Sequence, residues 1–219
     1  MDAEFWLERW RSGDIGFHQP DGHDLLRKHW PGLGAAAGAA VFVPLAGKSV
    51  DMHWLAAQGQ RVIGVELSEQ AVDDFFSGAD LTPLETREGS FVVKSDGPYT
   101  IYCGNIFELE SRHLDGVSSA YDRAALIALP ATLRPLYAAH LAELLRPGTT
   151  VLLISIVYPD GEIEGPPFSV SQDEIARLFG GAFEIAVLET RDGLAASPNL
   201  RARNVTRMDE TIYVLRRRS

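Results

Sequence analysis

The segment spanning residues 41–66 most constrains what this chain can fold into. Residues 41–45 form a short apolar run, VFVPL, which is typical of a buried parallel strand. Ser49 can cap a helix that Gly59 ends, in the place where helix-terminating glycines occur. Residues 61–66, RVIGVE, predict the next strand. A strand, a helix and a second strand in this order indicate an α/β domain built on a parallel sheet.

The rest of the chain extends this pattern. A helix is predicted over residues 21–30, a hairpin turn at Asp96-Gly97 and a weak strand over residues 117–122. Residues 149–158, TTVLLISIVY, carry the strongest strand signal, and SQDE at 171–174 is a helix-starting capping box. We predict one α/β domain over residues 1–219. It would hold a seven-stranded, mostly parallel sheet with helices on both faces and an N-terminal helical lid at residues 1–33.

A glycine and an acid flank the predicted helix at positions that suit a nucleoside. Ligands of open α/β sheets bind at the carboxyl ends of the strands, beside a glycine-containing turn that follows the first strand. Here that turn contains Gly47, and Glu66 follows it by 19 positions at the end of the second strand. An acid about 20 residues on can accept the hydroxyl protons of a ribose. The spacing alone also fits a structural tight turn followed by an exposed acid.

Two phosphate-binding motifs are excluded because glycines that they require are missing. A P-loop ending in Gly47-Lys48-Ser49 requires a glycine five positions before Gly47, where Phe42 stands. The dinucleotide pattern G-x-G-x-x-G requires glycines at positions 45 and 50 beside Gly47, but this chain has Leu45 and Val50 there. A nucleoside ligand without phosphate, such as S-adenosylmethionine (SAM), therefore fits better.

Seven motifs in a fixed order carry a resemblance to a known family. They are FW at 5–6 with Trp10, FHQ at 17–19 with GHxLL at 22–26, PLxGKS at 44–49, VELS at 65–68, YCGNIF at 102–107, YDRxA at 121–125 and GPPF at 165–168. With these motifs, the sequence resembles the thiopurine S-methyltransferase family of class I methyltransferases, nearly from end to end. The resemblance implies a SAM-dependent enzyme that methylates the sulfur of thiopurines or other small aromatic or heterocyclic thiols.

The resemblance also implies the site. Six residues would bind the methyl donor: Trp10, Leu45, Glu66, Asn105, Ile106 and Arg123. Three more would lie nearby: Trp6, Phe17 and Gly47. Glu66 would take the ribose, and the N-terminal aromatic residues would form the lid. Arg123 would also stabilise the anionic acceptor as a fixed positive charge. Asp122 would either handle a proton or serve as a structural acid at a strand end.

Two departures from the family pattern leave the acceptor open. Ala46 stands where the family usually has cysteine, and Tyr121 stands where it often has tryptophan. Tyr121 is expected to alter the acceptor pocket. Two alternatives follow: a related methyltransferase for halide, thiocyanate, selenium or tellurium species, and a module that binds SAM without catalysis.

The composition of the chain limits the kinds of molecule that it can bind and the compartment in which it acts. The net charge of −10 disfavours nucleic acid, because phosphate binding requires a basic surface. The single cysteine, Cys103, suits a reducing compartment, and no apolar run approaches the length of a membrane span. The spacing of His18, His23 and His29 does not predict a metal site. We expect a cytoplasmic monomer that acts on a small-molecule thiol, with no membrane or nucleic-acid partner.

Overall fold

The structure, a computed structural model, describes residues 3–219. The chain divides into two compact units, Met1–Ala120 and Tyr121–Ser219. Residues 1 and 2 of the predicted lid lie outside the described residues. Each unit combines helices with β-strands.

The first unit holds the N-terminal helices and the parallel strands. Its helices are α1 (Ala3–Ser12), α2 (Asp24–His29), α3 (Asp51–Ala57) and α4 (Glu69–Ser77), with 3-10 turns at Trp30–Leu33, Ile106–Glu108 and Ser111–Leu114. Its strands are β1 (Ala40–Pro44), β2 (Arg61–Glu66), β3 (Leu84–Glu88), β4 (Phe91–Asp96), β5 (Tyr99–Cys103) and β6 (Val117–Asp122), the last of which ends two residues into the second unit. The predicted strand, helix and strand over residues 41–66 are therefore present.

The second unit continues with helices and antiparallel strands. Its helices are α5 (Ala125–Ala128), α6 (Arg134–Leu144), α7 (Gln172–Phe179) and α8 (Pro198–Ala202), and its strands are β7 (Thr150–Val157), β8 (Phe183–Asp192) and β9 (Asp209–Arg217). Residues 151–156 of β7 are all buried, as predicted by their apolar run, which only Ser155 interrupts.

Parallel pairing brings three strand ends to one edge in the first unit. Pro44 of β1 lies opposite Val65 of β2, and Glu66 lies opposite Cys103 of β5. All five residues of β1 are buried, so the register is set by burial on both faces of the sheet. The loops that follow β1, β2 and β5 consequently leave from the same edge, where open parallel sheets bind ligands.

The strand count differs from the prediction. Residues 3–219 contain nine strands, not seven. In the first unit they lie in the order β3-β4-β5-β2-β1-β6, with β5, β2, β1 and β6 parallel and β3 and β4 antiparallel to their neighbours. In the second unit the order is β7-β9-β8, all antiparallel.

One additional strand, β3, has no hydrophobic signal. Its sequence is LETRE, and every one of its residues is exposed. It forms because its backbone pairs with β4, next to the hairpin at Asp96-Gly97 that the sequence predicts. A strand held by backbone hydrogen bonds at a sheet edge buries little apolar surface, so periodicity does not reveal it.

Helix starts follow local hydrogen bonding. The Ser68 hydroxyl caps α4 by accepting from the N–H of Ala71, whereas Val50 and not the predicted Ser49 is the N-cap of α3. The helix predicted from residue 21 starts at Asp24 instead, because Gly22 is left-handed (φ 71°) and His23 is extended. Ser171 caps α7, but the Glu174 side chain is bonded to Arg134 and does not complete the capping box.

Candidate active site

The carboxylate of Glu66 joins the loops that follow β1 and β2. Its Oε2 accepts a hydrogen bond from the Gly47 N–H at 2.8 Å, and its Oε1 accepts one from the Ser68 N–H at 2.8 Å. The residue is only 7% exposed, which differs from the exposed acid of the structural alternative. Burial raises the pKa of Glu66, and the backbone donors oppose that shift. A carboxylate can accept more hydrogen bonds than these backbone donors supply, so Glu66 can also accept from ribose hydroxyls.

The loop between β1 and α3 has an unusual backbone. Leu45 is left-handed at φ 45°, which costs a non-glycine residue about 1–3 kcal/mol and is typical of binding sites. Gly47 is left-handed at φ 52°, and a Cβ added to it would lie 3.2 Å from the Trp10 ring. Both the backbone conformation and the closeness of Trp10 therefore favour glycine at this position.

The aromatic residues predicted for the lid form one cluster. The rings of Trp6 and Phe17 meet edge-to-face at 5.6 Å between centroids, and those of Trp10 and Phe17 at 5.5 Å. Trp6 and Phe17 are half-buried, whereas Trp10 is only 3% exposed. Since the Trp10 ring also covers Gly47, the cluster lies directly against the loop that Glu66 holds.

The loop after β5 lies beside Glu66. The N–H of Gly104 donates to the carbonyl oxygen of Glu66 at 2.8 Å. Asn105 follows, and its side-chain oxygen accepts from the N–H of Phe107 at the start of a 3-10 turn. Asn105 is exposed and Ile106 is buried, so the loop that follows Gly104 carries one polar and one apolar side chain.

Asp122 ends β6 in the second unit and is almost fully enclosed. Its Oδ1 accepts from the N–H groups of Ala125 (3.0 Å) and Leu126 (3.2 Å), and its Oδ2 accepts from the Tyr137 hydroxyl at 2.6 Å. Burial raises the pKa of Asp122 to about 6 in spite of these donors. Three donors on one buried carboxylate favour the structural alternative over proton handling. Arg123 is half-buried in the turn that Asp122 stabilises.

The GPPF loop at residues 165–168 is also tied down within the second unit. The Phe168 N–H donates to the carbonyl of Ile127 at 2.7 Å, and the Tyr158 hydroxyl donates to the carbonyl of Pro167 at 2.8 Å. These two bonds join the loop to the end of α5 and to the residue after β7. The loop is therefore a fixed wall beside α5.

Among the residues that the structure describes, we find neither a metal-ligand cluster nor an ionised thiol. In residues 3–219, no three His, Cys, Asp or Glu side chains group as ligands for a metal ion would. The Cys103 thiol has its pKa raised to about 11, chiefly by burial, so it stays protonated at neutral pH. None of the helices described is long and apolar enough to pass through a bilayer.

Sequence reasoning missed two residues beside this site. Lys48 Nζ lies 3.0 Å from Asp74 Oδ2, and Asp51 Oδ1 accepts from the His23 N–H at 2.7 Å. These partners are 26 and 28 positions apart in the chain. No local pattern predicts contacts between distant positions that only packing brings together.

Comparison with known sequences gives matches along the whole chain. The sequence model of the family described as thiopurine S-methyltransferase (TPMT) matches residues 1–218. A thiopurine S-methyltransferase of Pseudomonas fluorescens (strain SBW25) is 48% identical over 215 residues, which cover 98% of this chain and 99% of the relative. One of Bordetella petrii is 45% identical over 217 residues and covers 99% of both chains.

Comparison with solved structures gives the fold. A SAM-dependent methyltransferase of Anabaena variabilis has a TM-score of 0.67 at 14% identity, over 99% of this chain and 95% of that one. Phosphoethanolamine N-methyltransferase 2 of Haemonchus contortus, solved with S-adenosyl-L-methionine, has a TM-score of 0.64 at 12% identity. That match covers 92% of this chain and about half (54%) of that longer enzyme. These likenesses confirm the predicted class I methyltransferase fold.

Proposed function

The chain belongs to the thiopurine S-methyltransferase family, and we propose that it transfers a methyl group from SAM to the sulfur of a thiopurine or another small aromatic or heterocyclic thiol. One observation carries the proposal. The buried Glu66 carboxylate is held by Gly47 and Ser68 at the edge where β1, β2 and β5 end. This arrangement suits a nucleoside, because the acid can accept from ribose hydroxyls while the loop lacks the glycines that bind phosphate.

The residues around Glu66 fit SAM. When bound, SAM supplies a methyl carbon that a sulfonium cation activates for attack by the acceptor sulfur. Glu66 would accept hydrogen bonds from the ribose, and Leu45 and Ile106 would offer apolar surface to the adenosine. Asn105, which is exposed beside Ile106, adds polar atoms at the same edge.

The aromatic residues of the lid would exclude water from the SAM site. Trp6, Trp10 and Phe17 pack edge-to-face, so their rings form a continuous apolar cover next to Gly47. Aromatic faces also attract cations, which favours a sulfonium-bearing ligand. Attack by a thiolate on a cation removes charge, so a dry surrounding of low dielectric constant accelerates it.

The acceptor side depends on Arg123. A guanidinium stays charged at all relevant pH values, and it would stabilise an acidic heterocyclic thiol as its anion. An acceptor that is already ionised requires no dedicated base. Asp122 then serves as a positioning residue, since its bonds to Ala125, Leu126 and Tyr137 stabilise the turn that carries Arg123.

Three finer points belong to the same proposal. The net charge of −10 supports a small-molecule acceptor and no nucleic acid. We propose that the enzyme acts as a monomer, since the sequence pattern demands no second copy. Soft inorganic nucleophiles are the competing acceptors, and a competition assay between a thiopurine and iodide or thiocyanate separates the two classes.

The test combines calorimetry with turnover. SAM is titrated into the folded protein, and 6-mercaptopurine methylation is then followed by mass spectrometry of the product. We expect stoichiometric binding and an S-methylated product. Binding without any methylated thiol would leave only the SAM-binding module, and no binding by a folded sample would contradict the assignment of Glu66.

A further inference from the structure

Lys48 lies in the loop after β1 and reaches Trp10 of the lid. Its Nζ is 5.8 Å from the centroid of the Trp10 ring and 3.0 Å from Asp74 Oδ2. The side chain is only 24% exposed. Trp10 belongs to α1, Lys48 to the loop after β1, and Asp74 to α4, so one ammonium group connects three segments of the first unit.

Two neighbouring residues of that loop contact the Trp10 ring. The Gly47 backbone approaches so closely that an added Cβ would lie 3.2 Å from the ring, and the Lys48 ammonium stands over the ring itself. An ammonium group over an indole face is attracted by the negative potential of the ring. Asp74 fixes the ammonium, so Lys48 meets Trp10 with less freedom than an unpaired surface lysine would have.

We propose that Lys48 is a positioning residue that holds Trp10, and through it the N-terminal lid, against the loop that binds SAM. This inference rests on the proposed function, because it assigns Trp10 to the SAM site. It also gives a role to the lysine of the Gly47-Lys48-Ser49 triplet, which is not part of a P-loop. Lys48 acts through Trp10 and Asp74 and does not contact a phosphate.

The proposal separates cofactor affinity from turnover. If Lys48 only positions Trp10, its loss frees the lid in the unbound protein and weakens SAM binding. Once SAM is saturating, the lid is closed over it in either variant. The Michaelis constant for SAM therefore changes, while kcat stays close to that of the wild type.

The experiment measures SAM affinity by calorimetry and kinetics with 6-mercaptopurine for wild type, Lys48→Met and Lys48→Arg. Methionine keeps an unbranched apolar side chain and removes the charge, whereas arginine retains it. We expect Lys48→Met to weaken SAM binding about fivefold, with kcat within about twofold, and Lys48→Arg to recover most of the affinity. Lys28→Met, which removes an exposed lysine of α2, should bind SAM as the wild type does.

A double-mutant cycle tests whether the effect passes through Trp10. In a Trp10→Ala background, Lys48→Met should cause no further loss of SAM affinity. If Lys48→Met fails to fold, Asp74→Asn serves instead, since it keeps the lysine but frees its ammonium. We expect it to weaken SAM binding about twofold to threefold.

The outcomes are distinguishable. A wild type that binds and methylates normally, together with a Lys48→Met variant (or its Asp74→Asn replacement) of unchanged SAM affinity, overturns the role of Lys48 alone. Equal losses in the Trp10→Ala and wild-type backgrounds overturn the route through Trp10. A folded wild type that neither binds SAM nor methylates a thiol overturns the proposed function, and the role of Lys48 with it.

Discussion

The carboxylate of Glu66 is hydrogen bonded to the backbone of Gly47, 19 positions earlier, at 2.8 Å. The acid assigned to the ribose therefore also holds the glycine loop in place. This bond occupies the Gly47 N–H, so that group is not available to a ligand. Recognition of the nucleoside falls to the remaining acceptor sites of the carboxylate and to the apolar side chains around it.

Replacing Glu66 with glutamine should impair both of its roles. The amide group of Gln is a donor on one side, so either Gly47 or Ser68 would lose its acceptor. Hydrogen bonds to charged groups are strong, and we expect SAM affinity to fall about tenfold or more in calorimetric titration. Glu143→Gln, at an exposed position of α6, is the control. Equal affinities of the two variants would contradict the assignment.

Gly47→Ala tests how closely Trp10 packs on the loop. The matched control is Gly97→Ala in the hairpin turn, where φ is 54° instead of 52° and nothing lies within 4 Å of the added Cβ. Both changes should cost about 1 kcal/mol of unfolding free energy through the backbone. Only Gly47→Ala should also weaken SAM binding, because its Cβ displaces Trp10. If the two variants have equal unfolding free energies in urea and equal SAM affinities, the displacement of Trp10 does not affect SAM binding.

Gly22→Ala tests the contact between the lid segment and α3. An added Cβ would lie 2.7 Å from Asp51 Oδ1, the atom that accepts from the His23 N–H. Gly13→Ala has a similar φ, 73° against 71°, and open space around its Cβ. We expect Gly22→Ala to lower the unfolding free energy by about 1–3 kcal/mol more than the control does, because a buried acceptor is disturbed. Chemical denaturation measures both variants.

Arg123→Ala should reduce turnover more than cofactor affinity. Removing a fixed charge that stabilises the anionic acceptor lowers kcat by about a hundredfold, whereas SAM affinity should change by only a few fold. Steady-state kinetics with 6-mercaptopurine and calorimetry with SAM give the two values. Arg177→Ala, on the exposed face of α7, is the control. A loss confined to SAM binding, with unchanged kcat, would make Arg123 a cofactor ligand only.

The raised pKa of Asp122 should make the free energy of unfolding depend on pH. Its folded pKa, about 6, lies above the ordinary value of 3.8, so the folded state binds the proton more tightly than the unfolded state does. The stability it contributes is complete below about pH 4 and is lost as the pH rises through about 6, in total about 3 kcal/mol. Asp122→Asn should lack this decline. Urea unfolding of both proteins between pH 4 and pH 7.5 measures it, and parallel profiles would contradict the prediction.

Local patterns predicted the elements that carry the site. Strands that are buried on both faces of a sheet have few polar residues in their interior. The apolar run of β1 and the central VIGV of β2 therefore predicted both strands. The Ser171 cap followed from one side chain and its own helix. The pairing of Gly47 with Glu66 followed from the fixed length of a strand, helix and strand unit.

The sequence by itself determined the fold class, the place of the cofactor loop and, through its seven motifs, the family. Tertiary structure alone decided that β3 forms, that Asp122 is enclosed by three donors, and that Lys48 lies over Trp10 beside Asp74. The physical reason is range. Periodicity and capping record interactions within a few residues, whereas an edge strand or an ion pair across helices depends on which surfaces packing brings together.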